Sequence, residues 1–504
     1  MNQSCRRNIQ KRKAKIAKRL ERRNFADQTT PMLKGGNVHY EMSGRQAAVG
    51  CGGVAAIHEM VRRLGLPELI NRRLHLLKAH LPYFESDHIL NLAFNVLAGG
   101  RRLEDLETLR DDEAFMDQLG AERIPDPTTA GDFLRRFAAK DVILLMDVVN
   151  DVREAVWQKK AADDPPFYDE AIIEVDGTIA ETLGECKGGM EMSYKGIWGY
   201  APLVITLANT REPLYIINRP GNTPSSTDAA QWIDRSIERV AKRFKKVTLR
   251  GDTDFSLTRY LDGWAEKVEF VLGYDACPNL VAAAEGLENK AWSRLERPAK
   301  WTVKTRERTR PANVKEAIVR ERGYTNLRLL SEAVAEFSYR PTQCQKTYRM
   351  VVVRKNISVE KGEVTFLPEV RYFFYITNQW GITKADVVFS ANDRCDQENI
   401  IAQLKSGIHA LHAPVDHLVS NWAYMVIASL AWTFKAWYGL LVPDARTSRE
   451  VVRMEYRKFL HHFIALSCQI IKSARRIVVR VLGYTQYLEC FFETYDVIRR
   501  LGVT

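Results

Sequence analysis

Three acidic residues, Asp176, Asp252 and Glu398, have the chemistry and the sequence surroundings that a divalent metal site requires. Asp176 lies within residues 171–180 (AIIEVDGTIA), where apolar or small side chains at the odd positions indicate a strand with one buried face. A carboxylate there needs a partner, because burying an unpaired charge is costly; a bound cation or a neighbouring Lys or Arg would serve. The three acids predict a site for two Mg²⁺ ions, or Mn²⁺ in their place, at which a phosphodiester is cleaved.

Two nearby acids compete with the first two positions. Asp254 is the main alternative to Asp252, and Glu174 is a weaker alternative to Asp176. Asp252 is preferred because the adjacent Gly251 leaves room for close approach of the backbone to a ligand.

The third acid is predicted from a helix that spans about 384–406. At about 100° per residue, Arg394, Glu398 and Lys405 lie on one polar stripe of this helix, beside an apolar face. Glu398 would then point toward the other acids from between two cations. The plainer alternative is a surface ion pair between Glu398 and Arg394, which share one helix face.

The elements that must position these acids alternate between strands and helices. After the strand of Asp176, β-rich runs at 201–208 and 214–218 predict a hairpin, and a helix follows. A fourth strand at 247–250 leads directly to Asp252, and a short helix precedes a fifth strand. This is the order of a ribonuclease-H-like core, in which the first and fourth strands are neighbours, so Asp176 and Asp252 are expected side by side.

The predicted fold class is α/β, with a ribonuclease-H-like catalytic core that contains a mixed five-stranded sheet and helices. The long charged segment inside this core is interpreted as a β-rich insertion domain, because a structureless loop of that length is improbable. The predicted divisions are a basic tail at 1–24, a helical DNA-end-binding domain at 25–165, the core at 166–278 and 369–445, the insertion at 279–368, and a helical C-terminal region at 446–504.

The formal net charge of +12 points to a polyanionic partner, and nucleic acid is favoured over a membrane. Residues 1–24 contain ten Lys or Arg and one acid, and so supply most of this excess. The tail, including Arg12 and Lys13, is predicted to contact DNA and to become an amphipathic helix on an anionic surface. The alternative is a disordered, soluble arm.

Arg135 and Arg136 are a second predicted DNA contact. They lie on a helix after Pro127 whose Phe133 and Phe137 are expected to pack inward while the two arginines face outward. The alternative is a packing domain that makes no DNA contact.

Composition argues against membrane and secreted classes. No uninterrupted apolar run is long enough to span a bilayer, and no apolar segment follows the basic tail as it would in a secretory signal. The most apolar stretch, at 425–442, contains Lys435 and is interpreted as a buried helix. The eight cysteines are scattered without a C-x-x-C pair, which suits a reducing cytoplasm.

Six motifs, taken in order along the chain, resemble those of DDE transposases from bacterial insertion sequences, most closely insertion-sequence family thirteen-eighty. Each motif alone is weak, so the resemblance rests on their order over most of the chain. The motifs are PDPTTAGDF at 125–133, VDGT at 175–178, RPGN at 219–222, RGD at 250–252 with Phe255, YFFYITN at 372–378, and DQEN at 396–399 with Lys405.

The resemblance implies cut-and-paste transposition by a cytoplasmic, nucleoid-associated bacterial enzyme. A homodimer would bind the terminal inverted repeats of the element, hydrolyse one strand to free a 3′ hydroxyl, and direct that hydroxyl at target DNA. Asp176, Asp252 and Glu398 would be the catalytic residues and the metal ligands.

Other residue roles also follow from the resemblance. Arg394 and Lys405 would contact phosphates and position the DNA end. Ala391 stands where the wider group's signature has a tyrosine, which puts one phosphate contact in doubt. Related enzymes often excise through a hairpin with an extruded base stacked on an aromatic ring, for which Trp301 and Trp380 are candidates.

Two other functions remain open from the sequence. A nuclease of the same fold would cleave branched or hybrid nucleic acid without strand transfer. A catalytically inactive derivative would only bind DNA, although the three intact acids argue against it.

Overall fold

The computed structural model describes residues 1, 3–21, 38–41, 46–297, 312–362, 364–473 and 476–502. In these ranges the α-helices are α1 (Gln3–Glu21), α2 (Val54–Arg63), α3 (Leu66–Arg73), α4 (Glu85–Leu97), α5 (Asp105–Arg110), α6 (Glu113–Leu119), α7 (Pro127–Leu134), α8 (Ala139–Asp163), α9 (Ala229–Ala241), α10 (Thr258–Ala265), α11 (Pro278–Glu285), α12 (Val314–Glu321), α13 (Lys384–Asn392), α14 (Cys395–Ala402), α15 (Leu418–Leu440), α16 (Ala445–Arg453), α17 (Tyr456–Phe459) and α18 (Leu488–Ile498). The strands are β1 (Ala47–Val49), β2 (Glu170–Gly177), β3 (Ala180–Glu181), β4 (Glu191–Met192), β5 (Trp198–Tyr200), β6 (Leu203–Leu207), β7 (Glu212–Ile217), β8 (Lys246–Gly251), β9 (Glu269–Tyr274), β10 (Ser293–Arg294), β11 (Thr325–Tyr339), β12 (Tyr348–Lys361), β13 (Val364–Thr365), β14 (Glu369–Thr377), β15 (Cys468–Ser473) and β16 (Arg476–Val481).

The hydrophobic core is organised around α15, which is buried from Ser420 to Leu440 and packs on α4, α8, α16 and β7. A helix that is apolar on all sides is stable only when it is surrounded by protein. Lys435 is satisfied within this core, because its Nζ donates to the carbonyl of Val452 at 2.6 Å and lies 4.1 Å from the Trp432 ring centroid. The predicted buried helix is confirmed. No helix of the described residues is long and apolar enough to cross a membrane.

The main sheet holds the strands that carry the first two predicted acids. Its central order is β7-β6-β2-β8-β9, in which β2 is parallel to β8, β8 is parallel to β9, and β6 is antiparallel to both β2 and β7. α9 covers β2, β6 and β8 with a buried stripe that includes Ile233, Ile237 and Val240. The prediction that the first and fourth strands are neighbours is confirmed.

The segment predicted as an inserted β-rich domain joins this same sheet. β14 pairs with the outer edge of β9, and β12, β11 and β10 continue outward from β14. An uncovered edge strand exposes unpaired backbone donors and acceptors, which added strands satisfy. The insertion is β-rich as predicted, with the long strands β11 and β12.

The C-terminal region was predicted to be helical, but it also contains a β-hairpin. β15 and β16 form this hairpin, and β15 pairs with β1. The basic segment at 473–480 was predicted to be helical and instead lies mainly in β16. Its β-branched run, Ile477 to Val479, favours an extended backbone. β1 likewise places a strand in the stretch 47–157, which was predicted to be helical throughout.

The helix predicted over about 384–406 is divided in two. α13 begins at a Thr383 cap that accepts from the amide of Asp386, and it ends before Arg394. Arg394 caps the start of α14, and the chain then continues as a π-helical turn at Gln403–Gly407. Lys405 therefore lies on a wider turn than the one that carries Glu398.

Candidate active site

The carboxylates of Asp176 and Asp252 lie close together because their strands are neighbours. Asp176 is the next-to-last residue of β2, and Asp252 directly follows the end of β8, which runs parallel to β2. The Nη1 atom of Arg394 lies 3.3 Å from Oδ2 of Asp176 and 3.6 Å from Oδ2 of Asp252. One guanidinium therefore bridges both acids.

Burial and mutual repulsion disfavour the charged forms of these two acids. Burial, with the negative charges of Asp252 and Glu398, raises the pKa of Asp176 to about 6, against the opposing charge of Arg394. Burial also raises the pKa of Asp252, and Arg394 again opposes the shift. A cation that entered this site would favour both carboxylates in their charged forms.

Glu398 reaches the same site from α14. Together with Asp252 and Arg394 it lines a cleft of about 430 Å³, and its charge acts on Asp176. In the described part of the chain Arg394 has no ion pair with Glu398, so the surface pair considered from the sequence is not formed. Asp252 and Glu398 therefore line one cleft, and Asp176 adjoins it through Arg394, which also lines the cleft.

The chemistry of these side chains fits a divalent cation. Within the described residues, no three or more His, Cys, Asp or Glu side chains are close enough together to hold a metal ion. The three acids nevertheless supply only carboxylate oxygens, the ligands that hard divalent cations prefer. Nη1 of Arg394 is buried without a hydrogen-bond partner, so it neutralises the acids without being satisfied itself. Asp176, Asp252 and Glu398 are the residues that would hold a metal.

The two rival acids are placed differently. Glu174 is fully buried, and its Oε1 lies 2.6 Å from Nη2 of Arg250, so it belongs to an internal ion pair. The backbone amide of Asp254 donates to Oδ1 of Asp252, and the Asp254 side chain is exposed at a second cleft. These positions favour Asp176 and Asp252 over Glu174 and Asp254.

Gly251 has a different role from the one inferred from the sequence. A Cβ added there would lie 2.9 Å from Cβ of Phe255 and 3.2 Å from side-chain atoms of Leu272 and Val175. The glycine makes room for core packing behind the strand end, and not for a ligand.

Lys405 lines the second cleft together with Gly177 and Asp254. Burial lowers the pKa of its ammonium group and the charge of Lys195 lowers it further, while Asp176 opposes the shift. Arg394 lies between the carboxylates, whereas Lys405 approaches them from the second cleft.

The N-terminal basic helix α1 packs against α18. Ile9 of α1 is buried, and Nη1 of Arg12 donates to the carbonyls of Gly483 at 2.7 Å and Val481 at 3.3 Å. Lys13 is exposed. Arg12 is therefore engaged within the protein, and of this predicted pair Lys13 is the one that faces solvent.

The second predicted DNA contact has the expected orientation. Phe133 and Phe137 are buried, and Arg135 and Arg136 are exposed, as predicted. Nε of Arg135 lies 3.0 Å from Oδ1 of Asp416, in an exposed ion pair. Arg136 is thus the less constrained of the two arginines.

Of the two candidate aromatic residues, Trp301 and Trp380, the structure describes Trp380. Trp301 lies outside the described residues. Trp380 is 58% exposed and follows Asn378, whose Nδ2 donates to the carbonyl of Val268 just before β9 begins. Asp252 lies at the opposite end of these strands, where β8 ends, whereas Trp380 lies near the start of β9. Trp380 is therefore not close to the acids.

Arg219 in the RPGN motif has a role that the sequence did not reveal. Its buried guanidinium donates to the carbonyls of Ala201 at 3.0 Å, Ser225 at 3.1 Å and Thr227 at 2.8 Å. It thereby fixes the loop that lines the second cleft. A buried arginine with backbone partners leaves no pattern in sequence periodicity.

Aromatic side chains from β14 line the same cleft as Ala391, the residue that stands where the wider group has a tyrosine. Ala391 lines the first cleft beside Tyr372, Phe373 and Tyr375. The sequence predicted this strand, but it did not predict that its rings would lie next to Arg394.

Comparison with known proteins identifies the family. A family model described as "Transposase DDE domain group 1" matches residues 30–503. Among solved structures, the chain is similar to a piggyBac transposase in a synaptic complex with hairpin DNA, with 10% identity and a TM-score of 0.32, over 83% of this chain and 86% of that chain. That likeness is too low to carry fold or function across. No curated protein matches the chain. Because the family model spans most of its length, the chain belongs to the DDE-domain transposases of group 1.

Proposed function

We propose that this chain catalyses cut-and-paste transposition of a bacterial insertion sequence of family thirteen-eighty. The enzyme binds the terminal inverted repeats as a homodimer, hydrolyses one strand at each end, and joins the freed 3′ hydroxyl to target DNA. The observation that carries the proposal is the bridge that Arg394 forms between Asp176 and Asp252, beside a cleft that Asp252 and Glu398 both line.

The proposed core is ribonuclease-H-like. The order and directions of the five central strands support this assignment: the first three strands form an antiparallel meander, and the fourth and fifth add parallel to the first. This topology explains why Asp176 and Asp252 lie side by side. The first and fourth strands are parallel neighbours, and both end at the same end of the sheet.

Asp176, Asp252 and Glu398 would hold two divalent ions, Mg²⁺ or Mn²⁺, which when bound activate an attacking hydroxyl and stabilise the leaving oxygen of a phosphodiester. Arg394 neutralises the first two acids in the metal-free protein. Displaced from the carboxylates, its guanidinium is close enough to contact a phosphate of the DNA end in the same cleft. Lys405 contacts a phosphate from the second cleft.

DNA binding outside the catalytic cleft uses exposed basic side chains. Lys13 on α1 and Arg136 after α7 are exposed and available to phosphates. We assign binding of the terminal repeats to the helical region at 25–165, and the net charge of +12 favours an anionic partner. The enzyme works in the bacterial cytoplasm, at the nucleoid.

The proposal is tested by excision in cells of a marked element that carries this gene's own flanking ends. We expect Asp176→Ala, Asp252→Ala and Glu398→Ala each to abolish excision while binding of the ends persists. Asp254→Ala is the matched control, since its side chain lies two residues from Asp252 but in the other cleft.

The outcomes separate the possible functions. Excision that survives all three substitutions would contradict the proposal. Cleaved ends that are never joined to target DNA would assign a nuclease without strand transfer, and a wild-type protein that binds ends without cutting would assign a DNA-binding derivative.

A further inference from the structure

A second cleft, of about 720 Å³, is lined by residues that lie near the catalytic acids in the chain, among them Gly177 and Asp254. Gly177 and Thr178, which directly follow Asp176, line it, and so does Asp254, two residues after Asp252. Its volume is within the range of about 300–1,000 Å³ typical of ligand pockets. The second cleft is therefore lined by residues that adjoin Asp176 and Asp252 in the chain.

The walls of the second cleft are rigidly placed. One wall is the turn between β4 and β5, in which the amide of Gly196 donates to the carbonyl of Ser193 at 2.9 Å. The other wall is the loop after β7. A Cβ on Gly221 would lie 2.2 Å from the carbonyl oxygen of Glu191 and 2.6 Å from that of Gly199, so the loop touches both strands of the turn. The cleft is thus preformed.

The charges in the cleft favour an anion. Its lining carries three cations, Lys195, Lys405 and Arg219, against two acids, Glu181 and Asp254. Burial lowers the pKa of Lys405, and the charge of Lys195 lowers it further. In the part of the chain that the structure describes, neither ammonium group has an ion pair with an acid. Two unpaired cations facing one cleft would be stabilised by an anionic ligand.

Uncharged donors complete the lining. The side chains of Asn222, Thr223, Ser225 and Ser226 come from the loop after β7, and they offer one amide and three hydroxyl groups. Such groups, together with lysines, are the usual partners of phosphate and sugar oxygens in nucleic-acid complexes.

An exposed aromatic ring lies at the rim. Tyr194 is 86% exposed at the tip of the turn, and Nζ of Lys195 lies 5.3 Å from the centroid of its ring. An exposed ring beside a basic groove is the combination that binds single strands, because any unpaired base can stack on it. In a duplex the bases stack on one another, so none is free to stack on an aromatic side chain.

We propose that this second cleft binds the single DNA strand on one side of the scissile phosphate, with Lys195 and Lys405 on backbone phosphates and Tyr194 stacked on a base. The proposal rests on the proposed function only for the position of the cut. A strand in the second cleft would lie beside Asp176, because Gly177 and Thr178 of the lining directly follow that residue. Binding of the strand itself follows from the charges, donors and ring of the cleft.

The test measures binding of a fluorescent oligothymidine to the full chain by anisotropy, without divalent ions and without terminal-repeat sequence. We expect Tyr194→Ala to weaken binding on the order of tenfold, and Tyr194→Phe to bind as the wild type does because it keeps the ring. Lys195→Ala should reduce the slope of log affinity against log salt by about one. Lys245→Ala is the control, since Lys245 is 75% exposed and precedes β8 at the edge away from Asp252.

The inference fails if Tyr194→Ala and Lys195→Ala both bind the oligonucleotide with wild-type affinity and salt dependence. It also fails if Lys245→Ala weakens binding as much as they do, because the binding would then be a general effect of charge. Its failure is distinguishable from failure of the proposed function. If the wild type excises no element but Tyr194 and Lys195 still control oligothymidine binding, the cleft assignment stands and transposition does not.

Discussion

Nη1 of Arg394 lies 3.3 Å from Oδ2 of Asp176, within the acidic site itself. The same atom is 3.6 Å from Oδ2 of Asp252, so one internal cation lies between the two strand-borne acids. A metal that binds these carboxylates must displace this guanidinium.

Replacing Arg394 by Gln should therefore strengthen metal binding. Without a competing cation, we expect the affinity for Mg²⁺ to rise on the order of tenfold, the effect of about 1.4 kcal/mol. The metal-free variant should be less stable, because its two carboxylates lose their neutralising partner. Calorimetric titration with Mg²⁺ and thermal unfolding measure the two effects, and Arg135→Gln is an exposed-arginine control. Weaker Mg²⁺ binding by the variant would contradict the competition.

Glu174 should matter for stability and not for metal binding. Breaking its buried pair with Arg250 by Glu174→Gln is expected to cost about 3–5 kcal/mol in the free energy of unfolding, because Arg250 is left buried and unpaired. Urea unfolding measures the cost. Replacing both partners by Met should recover much of it. Loss of Mg²⁺ binding by a folded Glu174→Gln protein would instead make Glu174 a metal ligand.

Substitutions at the adjacent residues Arg12 and Lys13 should change different properties, the first stability and the second DNA binding. Arg12→Ala removes two hydrogen bonds to backbone carbonyls, so we expect a lower melting temperature. Lys13→Ala should leave the melting temperature unchanged and reduce the salt slope of DNA binding by about one, since Lys13 is exposed. Thermal unfolding and salt-dependent binding of duplex DNA separate the two effects. An unchanged salt slope would remove Lys13 from the DNA contacts.

A buried histidine should make stability depend on pH. His88 is 4% exposed, and its ring stacks on that of Phe133 with 4.3 Å between the ring centroids. Burial lowers the pKa of His88 to about 4, and the charge of Arg136 contributes to the shift. The unfolded chain has a histidine pKa near 6.5, so it binds more protons than the folded chain between about pH 6.5 and about pH 4. Stability should therefore fall as the pH falls through this window.

The contribution of His88 is isolated by comparing urea unfolding of the wild type and His88→Phe across that pH range. The phenylalanine variant should lose less stability on acidification, because it has no proton to bind. Equal losses for the two proteins would assign the pH dependence to other groups.

The sequence predicted the parts of the fold that depend on local pattern. Alternating side chains identified the strand of Asp176, and the order of strands and helices placed Asp252 beside it, which the parallel pairing of β2 and β8 confirms. The burial of Phe133 and Phe137 was also predicted, but α7 ends at Leu134, so Phe137 and the two arginines before it follow the helix and do not lie on it.

Features that depend on contacts between distant segments were not predictable in this way. The strands of the β-rich insertion continue the sheet of the core, because β12 pairs with β14 and β14 pairs with β9. The break before Arg394, which directs its guanidinium between the acids, carries no proline or glycine signal in the sequence. The paired burial of Glu174 and Arg250 decides between two acids that the sequence alone could only rank.

The central claim is that Asp176, Asp252 and Glu398 form one metal-dependent catalytic site, and strand cleavage by purified protein tests it most directly. Duplexes that carry the element's terminal repeats are incubated with Mg²⁺ and with wild type, Asp176→Asn, Asp252→Asn, Glu398→Gln or Asp254→Asn protein. We expect a free 3′ hydroxyl at the element end from the wild type and Asp254→Asn only, with unchanged repeat binding by all five proteins. Cleavage by Asp252→Asn but not by Asp254→Asn, or cleavage by the wild type without any divalent ion, would contradict the account.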